Sequence, residues 1–523
     1  MKRQPASIFN DVIGPVMRGP SSSHTAAASR IGLLANQMVG GKIKKAIVEF
    51  HPEGSLATTY HGQGSDIGLV GGFLGYNPED ERLVNSISIA KELGLDVIFN
   101  IVNYEATHPN TYRLKIFGQK EEVSATAIST GGGMIKYENI NGFPVEISGD
   151  FYESLIFCST NKVAQNIEKI LEKENLDLEY IQKSSKEEEI LLNLKTMKAL
   201  DNFFCNRLKK IDGVFLIMNL SPVLPVISSK NCEVPFLTAK EMIQTHGNNK
   251  SLYELALLYE SKRGKISEDE VYNKMKRIVE IMNNSVRKGL SGTDYEDRIL
   301  GPQSHLIKKA MDNQKLLPGD LMNTVISYIT SIMEVKSSMG VIVAAPTAGS
   351  CGGLPGTIIG ACDVMELSID DMVKGMLAAG MIGLFIAQSA TFAAEVGGCQ
   401  VECGAGSSMA AAGLVQLMGG NGKQGVDAAS MALQNVMGMV CDPVGDRVEV
   451  PCLGKNVMAG TNAVACANMA LAGFDKVIPL DETIESMYKV GQMLPSELRC
   501  TGKGGLSVTP TGIKILEEME KQE

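Results

Sequence analysis

The stretch "MVKGMLAAGMIGLFIAQSATFAAEVGG" at residues 372–398 decides the class of fold, because its apolar length approaches that of a membrane span. A transmembrane helix needs about 20 mostly apolar residues. Here alanine and glycine are abundant, Lys374 and Gln388 interrupt the stretch, and Glu395 lies near its end. Such a pattern is more typical of a helix buried inside a large helical bundle. We therefore predict a buried helix of a soluble protein and no membrane segment.

The chain around this stretch also has helical patterns, from about residue 233 to residue 523. The clearest amphipathic stretch is "SEDEVYNKMKRIVEIMNNSVRKGL" at 267–290. Ser267 and Glu270 have the spacing of a capping box at its start, and Gly289 lies near its end. The sequence therefore predicts an all-α C-terminal domain over 233–523.

The N-terminal part alternates strand-like and helical patterns. "SISIAKELGL" (86–95) has a helical pattern, and "DVIFNIV" (96–102) and "TYRLKIFG" (111–118) are strand-like. This alternation predicts an α/β domain over residues 1–150.

Residues 151–228 have a third pattern, in which the predicted elements follow the order βαββαβ. This is the order of the ferredoxin-like fold, and the segment resembles an ACT domain, a small module that often senses amino acids. The resemblance depends on element order alone, so a purely structural linker domain is the alternative. The predicted fold class is thus an α+β multidomain protein with an ACT-like ferredoxin-fold domain between an α/β domain and an all-α domain.

Composition excludes some classes of partner. The chain has 523 residues and a net charge of −10, and its basic residues are scattered, so we expect no nucleic-acid partner. The N-terminus shows no apolar run of signal-peptide length, which predicts a cytoplasmic protein. Since that compartment keeps thiols reduced, the eleven cysteines are not expected to form a disulfide framework.

Glycine-rich turns present several of these cysteines in the helical region. The turns are "APTAGSCGGLPG" (345–356), "EVGGCQVECGAGSSMAAAG" (395–413), "VCDPVGDRVEVPC" (440–452) and "ELRCTGKGGLS" (497–507). Neither paired zinc motifs nor a compact iron–sulfur run is present. Three widely separated thiolates would, however, leave one iron of a cluster open to substrate, as a Lewis-acid hydro-lyase requires.

The first three of these turns, together with "GPSSSHT" (19–25) and "GSLATTYHGQGSD" (54–66), resemble the iron–sulfur-dependent L-serine dehydratases, or L-serine ammonia-lyases. The resemblance covers the first region and the whole helical region. It is closest to the single-chain form, in which a β-type part and an α-type part are fused. It implies a β-type N-terminal domain at 1–150 and an α-type domain at 233–523.

The resemblance implies deamination of L-serine to pyruvate and ammonia with a [4Fe–4S] cluster and without pyridoxal phosphate. An open iron of the cluster would assist the elimination of water as a Lewis acid. By motif, Cys351 and Cys399 are the first two predicted ligands. Cys441 is the predicted third ligand, with Cys452 as the alternative. Cys403 is a weaker candidate, and Cys500 is at best a remote substitute for the cysteine tail of some relatives.

The serine-rich loop at 19–25 offers hydroxyl and backbone N–H donors to the carboxylate of an amino-acid substrate. Without the resemblance, an N-cap cluster with no catalytic part is an equal alternative. Gln63 replaces a histidine of the family pattern, and this leaves the preference for serine open. The predicted substrate-binding residues are Ser21, Ser22, Ser23, Thr25, Gln63 and Asp66, and the predicted catalytic residues are His24 and His61.

Three alternatives remain at this stage. One is a related hydro-lyase or β-eliminating enzyme that acts on threonine or cysteine, and another is a non-catalytic amino-acid-binding regulatory protein. A pyridoxal enzyme is disfavoured because no lysine-centred cofactor motif is recognisable. The expected partners are a small-molecule amino-acid substrate and further copies of the chain in a homo-oligomer, since edges of ACT-like domains often pair.

Overall fold

The computed structural model describes residues 4–18, 22–119, 121–174, 176–229, 232–246 and 250–521, with only the backbone at Ser23, Gly131, Asp446 and Glu520. It shows a mixed α/β chain. The strands are β1 (Val16–Arg18), β2 (Lys45–Phe50), β3 (Asp96–Ile101), β4 (Thr111–Phe117), β5 (Glu122–Gly131), β6 (Met134–Ile140), β7 (Phe143–Ile147), β8 (Tyr152–Cys158), β9 (Leu178–Lys186), β10 (Glu189–Thr196), β11 (Val214–Leu220) and β12 (Val341–Val343). The helices are α1 (Ser22–Met38), α2 (Leu56–Thr59), α3 (Ser65–Phe73), α4 (Ser86–Glu92), α5 (Asn161–Leu171), α6 (Asn202–Lys209), α7 (Ala239–His246), α8 (Leu252–Gly264), α9 (Glu268–Ser291), α10 (Ser304–Asp312), α11 (Asp320–Ser337), α12 (Gly353–Val364), α13 (Ile369–Ser389), α14 (Ala394–Gly397), α15 (Cys403–Leu417), α16 (Gly422–Gln434), α17 (Cys452–Leu471), α18 (Leu480–Met493) and α19 (Pro510–Glu520).

These elements form two compact units. The described residues within Ser21–Asn231 make up one, and those within Met1–Pro20 and Cys232–Glu523 make up the other. Both β-sheets of more than two strands lie in the first unit. The three predicted domains and their boundaries stay predictions.

The larger sheet has the strand order β3-β2-β4-β5-β6-β7. Strands β2 and β3 are parallel, and helices α2 to α4 lie between them in the chain, as a parallel connection requires. The other neighbours are antiparallel. Helix α1 packs on this sheet, and the buried hydroxyl of Tyr137 donates a hydrogen bond to Ile31 O at 2.7 Å. The sheet thereby holds α1 in place.

The smaller sheet has the order β11-β8-β10-β9, and all its neighbouring strands are antiparallel. Along the chain its elements follow the predicted order βαββαβ. Helices α5 and α6 cover one face with apolar residues such as Ile167 and Leu208, which pack against Leu192 and Leu194. Whether this segment is an ACT-like domain stays a prediction.

The second unit is helical apart from the short antiparallel pair β1–β12. Helix α13 lies in its interior and contains much of the stretch at 372–398, so the predicted buried helix is confirmed. Its glycines allow close packing, because a Cβ on Gly383 would lie 2.0 Å from Val12 Cγ1. In the described part of the chain, no helix is both long and apolar enough to cross a membrane.

Candidate functional site

Two of the predicted ligands, Cys399 and Cys441, lie together in the helical unit. Their sulfur atoms and a carboxylate oxygen of Glu402 all lie within 4.8 Å of one another. Only 2% of Cys399 and 3% of Cys441 is exposed to solvent. We call Cys399, Glu402 and Cys441 the thiol centre.

A glycine explains how the chain brings these two cysteines together. Gly398 has a φ of +73°, and a Cβ at this position would lie 2.7 Å from Met439 O. The turn that starts at Cys399 can therefore lie directly against the segment that leads to Cys441. Gln400 joins the two segments, since its backbone N–H donates to Met439 O at 3.2 Å.

A third cysteine, Cys500, also packs against this site. Cys441 N–H donates to Leu498 O at 2.8 Å, and Cys500 N–H donates to Cys441 O at 2.9 Å. The half-buried Cys500 packs against Cys399 and Cys441. Cys500 is predicted to be at best a remote substitute, because nothing in the local sequence shows that its segment pairs with the one around Cys441.

The buried side chain of Asn456 connects three further cysteine-bearing segments. Its amide nitrogen donates to Cys452 O at 2.9 Å and lies 3.6 Å from Cys403 Sγ. Its amide oxygen accepts a hydrogen bond from Gly353 N–H at 2.8 Å, close to Cys351 in the chain. Asn456 is not among the residues predicted from the sequence. Its place in the "CLGKN" stretch directly after Cys452 is the signal that could have identified it.

Cys351 is fully buried, and its Sγ lies 3.8 Å from Met333 Sδ. Burial raises the pKa of Cys351 to about 12. In the described residues, no hydrogen bond or metal-site grouping joins Cys351 to Cys399 or Cys441. The role of Cys351 as a ligand stays a prediction, as does the choice between Cys441 and Cys452.

The charges around the thiol centre are unusual for an interior. Hydrogen bonding to Cys399 and Cys500, together with burial, raises the pKa of Cys441 far above its usual range. Burial also raises the pKa of Glu402 to about 7, although the Thr347 hydroxyl donates to this carboxylate at 2.6 Å. At neutral pH the Cys441 thiol is therefore protonated and the Glu402 carboxyl is protonated in about half of the molecules, unless a bound metal displaces these protons.

Lys455 brings positive charge to the same place. Its ammonium lies 3.8 Å from Cys399 Sγ and donates to Asp442 at 2.7 Å and to Val440 O at 2.7 Å. Although burial lowers the pKa of Lys455, Cys399 and Asp442 together raise it above its usual value. A fixed ammonium beside a cysteine favours the thiolate.

This donor set fits a metal that is held by thiolates. Metal binding removes the thiol protons that burial otherwise retains, and soft thiolate ligands suit zinc and iron–sulfur centres. Cysteines that are far apart in sequence converge here, beside an ammonium that can compensate the resulting charge. The residues present therefore fit the predicted iron–sulfur cluster.

A second candidate site lies in the sheet-containing unit, where α1 and α3 run side by side in the same direction. A Cβ on Gly68 would lie 2.3 Å from Thr25 O, and one on Gly72 would lie 2.2 Å from Ser29 O. Residues further along α3 thus contact residues further along α1, which means that the two helices are parallel. Their N-termini therefore lie next to each other. Two adjacent helix N-termini combine their positive partial charges and favour an anion.

Unsatisfied polar groups mark the same two helix N-termini. In the described part of the chain, the hydroxyls of Ser22 and Ser65 and the side-chain oxygen of Gln63 are buried and make no hydrogen bond of good geometry. Ser22 and Ser65 are the first residues of α1 and α3. The Thr25 hydroxyl donates to Gln63 O at 3.3 Å. Ser65 is not one of the predicted substrate-binding residues, and the structure adds it to this group.

The remaining predicted residues of this site are placed as follows. His61 Nδ1 lies 2.6 Å from Asp66 Oδ2, and Asp66 is buried while most of the His61 side chain is exposed. Burial lowers the pKa of His24 on α1. Ser21 lies outside the described residues, and the Ser23 side chain is not described.

The mixed α/β fold and the buried thiol centre define this protein as a candidate metalloprotein. A family model described as "Serine dehydratase alpha chain" matches residues 247–507. The probable L-serine dehydratase alpha chain of Bacillus subtilis (strain 168) is 36% identical over 288 residues, which are 55% of this chain and 95% of that protein. The chain belongs to the L-serine dehydratase family.

Two further relatives show how the chain is organised. The probable L-serine dehydratase beta chain of Bacillus subtilis (strain 168) is 33% identical over 219 residues, 41% of this chain and 98% of that protein. The L-serine dehydratase of Haemophilus influenzae is 26% identical over 513 residues, 94% of this chain and 96% of that protein. The chain thus combines regions similar to the alpha and beta chains in one polypeptide.

Proposed function

We propose that this protein is an L-serine ammonia-lyase that converts L-serine to pyruvate and ammonia. The observation that carries the proposal is the convergence of Cys399, Glu402 and Cys441 within the region matched by the dehydratase alpha-chain model. Relatives with this activity in their names cover both halves of the chain. The reaction removes the Cα proton and the hydroxyl of serine, and the resulting enamine tautomerises and is hydrolysed.

We further propose that the cofactor is a [4Fe–4S] cluster. Cys399 and Cys441 would hold it, with a third thiolate from Cys351 or Cys452. When bound, the cluster supplies a Lewis-acidic iron that helps hydroxide to leave. Lys455 holds the Cys441 segment in place through its contacts with Asp442 and Val440 O, and its ammonium lies 3.8 Å from Cys399 Sγ.

The paired N-termini of α1 and α3 are proposed to bind the substrate carboxylate. The unpartnered hydroxyls of Ser22 and Ser65 can each donate one hydrogen bond to it, and the helix N-termini add backbone N–H donors. A buried hydroxyl without a hydrogen-bond partner destabilises a protein by about 1–3 kcal/mol. An anion bound here would accept a hydrogen bond from each of the two hydroxyls. Substrate binding thus offsets a cost that the free protein carries.

Two histidines are proposed to move protons. Because burial lowers the pKa of His24, its imidazole is neutral near pH 7 and can accept a proton. The Asp66 carboxylate holds one ring nitrogen of His61, which fixes the tautomer and directs the other nitrogen away from Asp66. Gln63 can orient substrate but cannot exchange a proton.

The test is pyruvate release from L-serine after anaerobic purification, with iron and sulfide measured in the same sample. We expect turnover that falls with cluster content when the sample is exposed to air. L-Threonine and L-cysteine are assayed in parallel, because Gln63 leaves substrate preference open. An intact cluster without serine turnover, or serine turnover that is unaffected by complete cluster loss, would refute the proposal.

The variants Cys399→Ser and Cys441→Ser assign the ligands. Each is expected to lose iron and serine turnover together. The matched control is Cys362→Ser, since Cys362 is fully buried in α12 and does not belong to the thiol centre. Wild-type iron content in either ligand variant would show that the centre does not hold the metal.

A further inference from the structure

Lys336, near the C-terminal end of α11, is a buried lysine that the proposed mechanism does not yet use. Only 2% of it is exposed, and its ammonium donates one hydrogen bond, to Val448 O at 2.9 Å. In the described part of the chain, no carboxylate oxygen lies within 4.0 Å of this ammonium. Lys336 therefore differs from Lys455, whose ammonium has a carboxylate partner in Asp442.

The acidic groups that face Lys336 are mainly cysteines. Burial lowers the pKa of Lys336, whereas nearby Cys452, Cys351 and Glu449 raise it. The Glu449 carboxylate already accepts the backbone N–H of Leu300 at 2.9 Å. The thiols of Cys351 and Cys452 are the other acidic groups near the ammonium, and the Arg447 guanidinium is a nearby cation that opposes its charge.

The contacts of α11 place Lys336 between two cysteine-bearing segments. One turn earlier on the same helix, Met333 Sδ lies 3.8 Å from Cys351 Sγ. On the other side, Val448 belongs to the 441–452 segment, which carries Cys441 and Cys452 at its two ends. Lys336 therefore joins this segment to α11 by its hydrogen bond.

An unpaired ammonium in a protein interior is costly, and a neutral thiol does not compensate its charge. A thiolate does. When metal binding converts the surrounding thiols to thiolates, their negative charges attract the Lys336 ammonium. The buried ammonium then stabilises the site, whereas without the metal it destabilises the fold. The position of Lys336 is therefore favourable for a protein that holds an anionic centre there.

We propose that Lys336 is a positioning residue that supplies compensating positive charge to a thiolate-held cluster and thereby sets its reduction potential and its retention. The proposal rests on the cofactor assigned under the proposed function. A positive charge near a cluster stabilises the reduced, more negative state. Loss of this charge makes reduction harder and oxidative loss easier.

The test compares Lys336→Met and Lys336→Arg in the cluster-loaded full chain. Methionine keeps most of the side-chain volume without charge, whereas arginine keeps the charge. The measurements are iron and sulfide per chain, the midpoint potential by EPR-monitored titration, and the half-life of the cluster in air. Lys195→Met is the matched control, because Lys195 is also buried but pairs with Glu153 on the neighbouring strand of the smaller sheet.

We expect Lys336→Met to have a more negative midpoint potential and a severalfold shorter half-life in air, with Lys336→Arg close to wild type. If Lys336→Met loses the cluster outright while Lys336→Arg retains it, the charge role is also supported. A wild-type potential and half-life in Lys336→Met would overturn the proposal, as would equal loss in both variants. A wild-type protein without iron and sulfide would instead refute the cofactor assignment, and the role of Lys336 with it.

Discussion

Replacing Gly68 with alanine tests the close contact between α1 and α3. The added Cβ would lie 2.3 Å from Thr25 O and 3.0 Å from Thr25 C, whereas ordinary contacts begin at 3.4 Å. Because these are backbone atoms within a helix, no side-chain rotation can relieve the clash. The helices must therefore separate by about 1 Å, a shift large enough to count as overpacking in a dense interior.

The cost follows from two opposing terms. Overpacking of this kind destabilises by about 1–3 kcal/mol, and rigid backbone on the other side places Gly68→Ala at the upper end. Alanine is a better helix former than glycine, and this difference offsets about 1 kcal/mol of the loss in stability. We expect a net loss of about 2 kcal/mol in the stability of the α1–α3 pair, together with a raised KM for L-serine.

The assay is amide hydrogen exchange of the full chain, read on peptides that cover Ser22–Met38 and Ser65–Phe73. Gly454→Ala is the control, because Gly454 lies in α17 and an added Cβ would meet nothing within 4 Å. That variant is expected to be as stable as wild type or about 0.5–1 kcal/mol more stable. If the amides of α1 and α3 exchange as slowly in Gly68→Ala as in wild type, the close contact between these two parallel helices is refuted.

Three further predictions concern the thiol centre. Lys455→Met removes the ammonium beside Cys399 and is expected to lower iron per chain, whereas the exposed Lys489→Met should not; equal iron in both would contradict the role of Lys455. Gly398→Ala is expected to lose iron as well, since its Cβ would clash with Met439 O and its φ of +73° disfavours alanine; unchanged iron content would argue against the turn geometry. Because burial raises the pKa of Glu402 to about 7, the folded metal-free protein keeps a proton that the unfolded chain releases above about pH 4.5, so this group lowers stability as pH rises toward 7. Glu402→Gln should flatten that dependence by about 3 kcal/mol in urea unfolding at pH 4.5 and 7.5, and an unchanged slope would place Glu402 in solvent.

Secondary structure was predictable where local periodicity is strong. The helix expected at 267–290 is α9, and Ser267 caps it by accepting the N–H of Glu270. The strands expected at 96–102 and 111–118 are β3 and β4. These elements depend on residues a few positions apart, which a single sequence displays directly.

The candidate site was predictable only in part. Motif resemblance identified Cys399 and Cys441, which the structure brings together. It did not identify Cys500 or Asn456, whose contacts with the site come from tertiary packing. Ser65 was missed for the same reason, since its unpartnered hydroxyl becomes visible only when α1 and α3 lie side by side.

The sequence alone determined the order of elements, the buried character of α13 and the family resemblance, because apolar periodicity and short motifs are local properties of the chain. Contacts between distant segments decide the remaining features. They determine which cysteines share a site, that the described Lys336 ammonium has no carboxylate partner, and which helix N-termini are adjacent. Gly398 and Gly68 show the difference. The sequence shows that these residues have no Cβ and therefore permit close approach, but only the tertiary structure shows which backbone atom each one approaches.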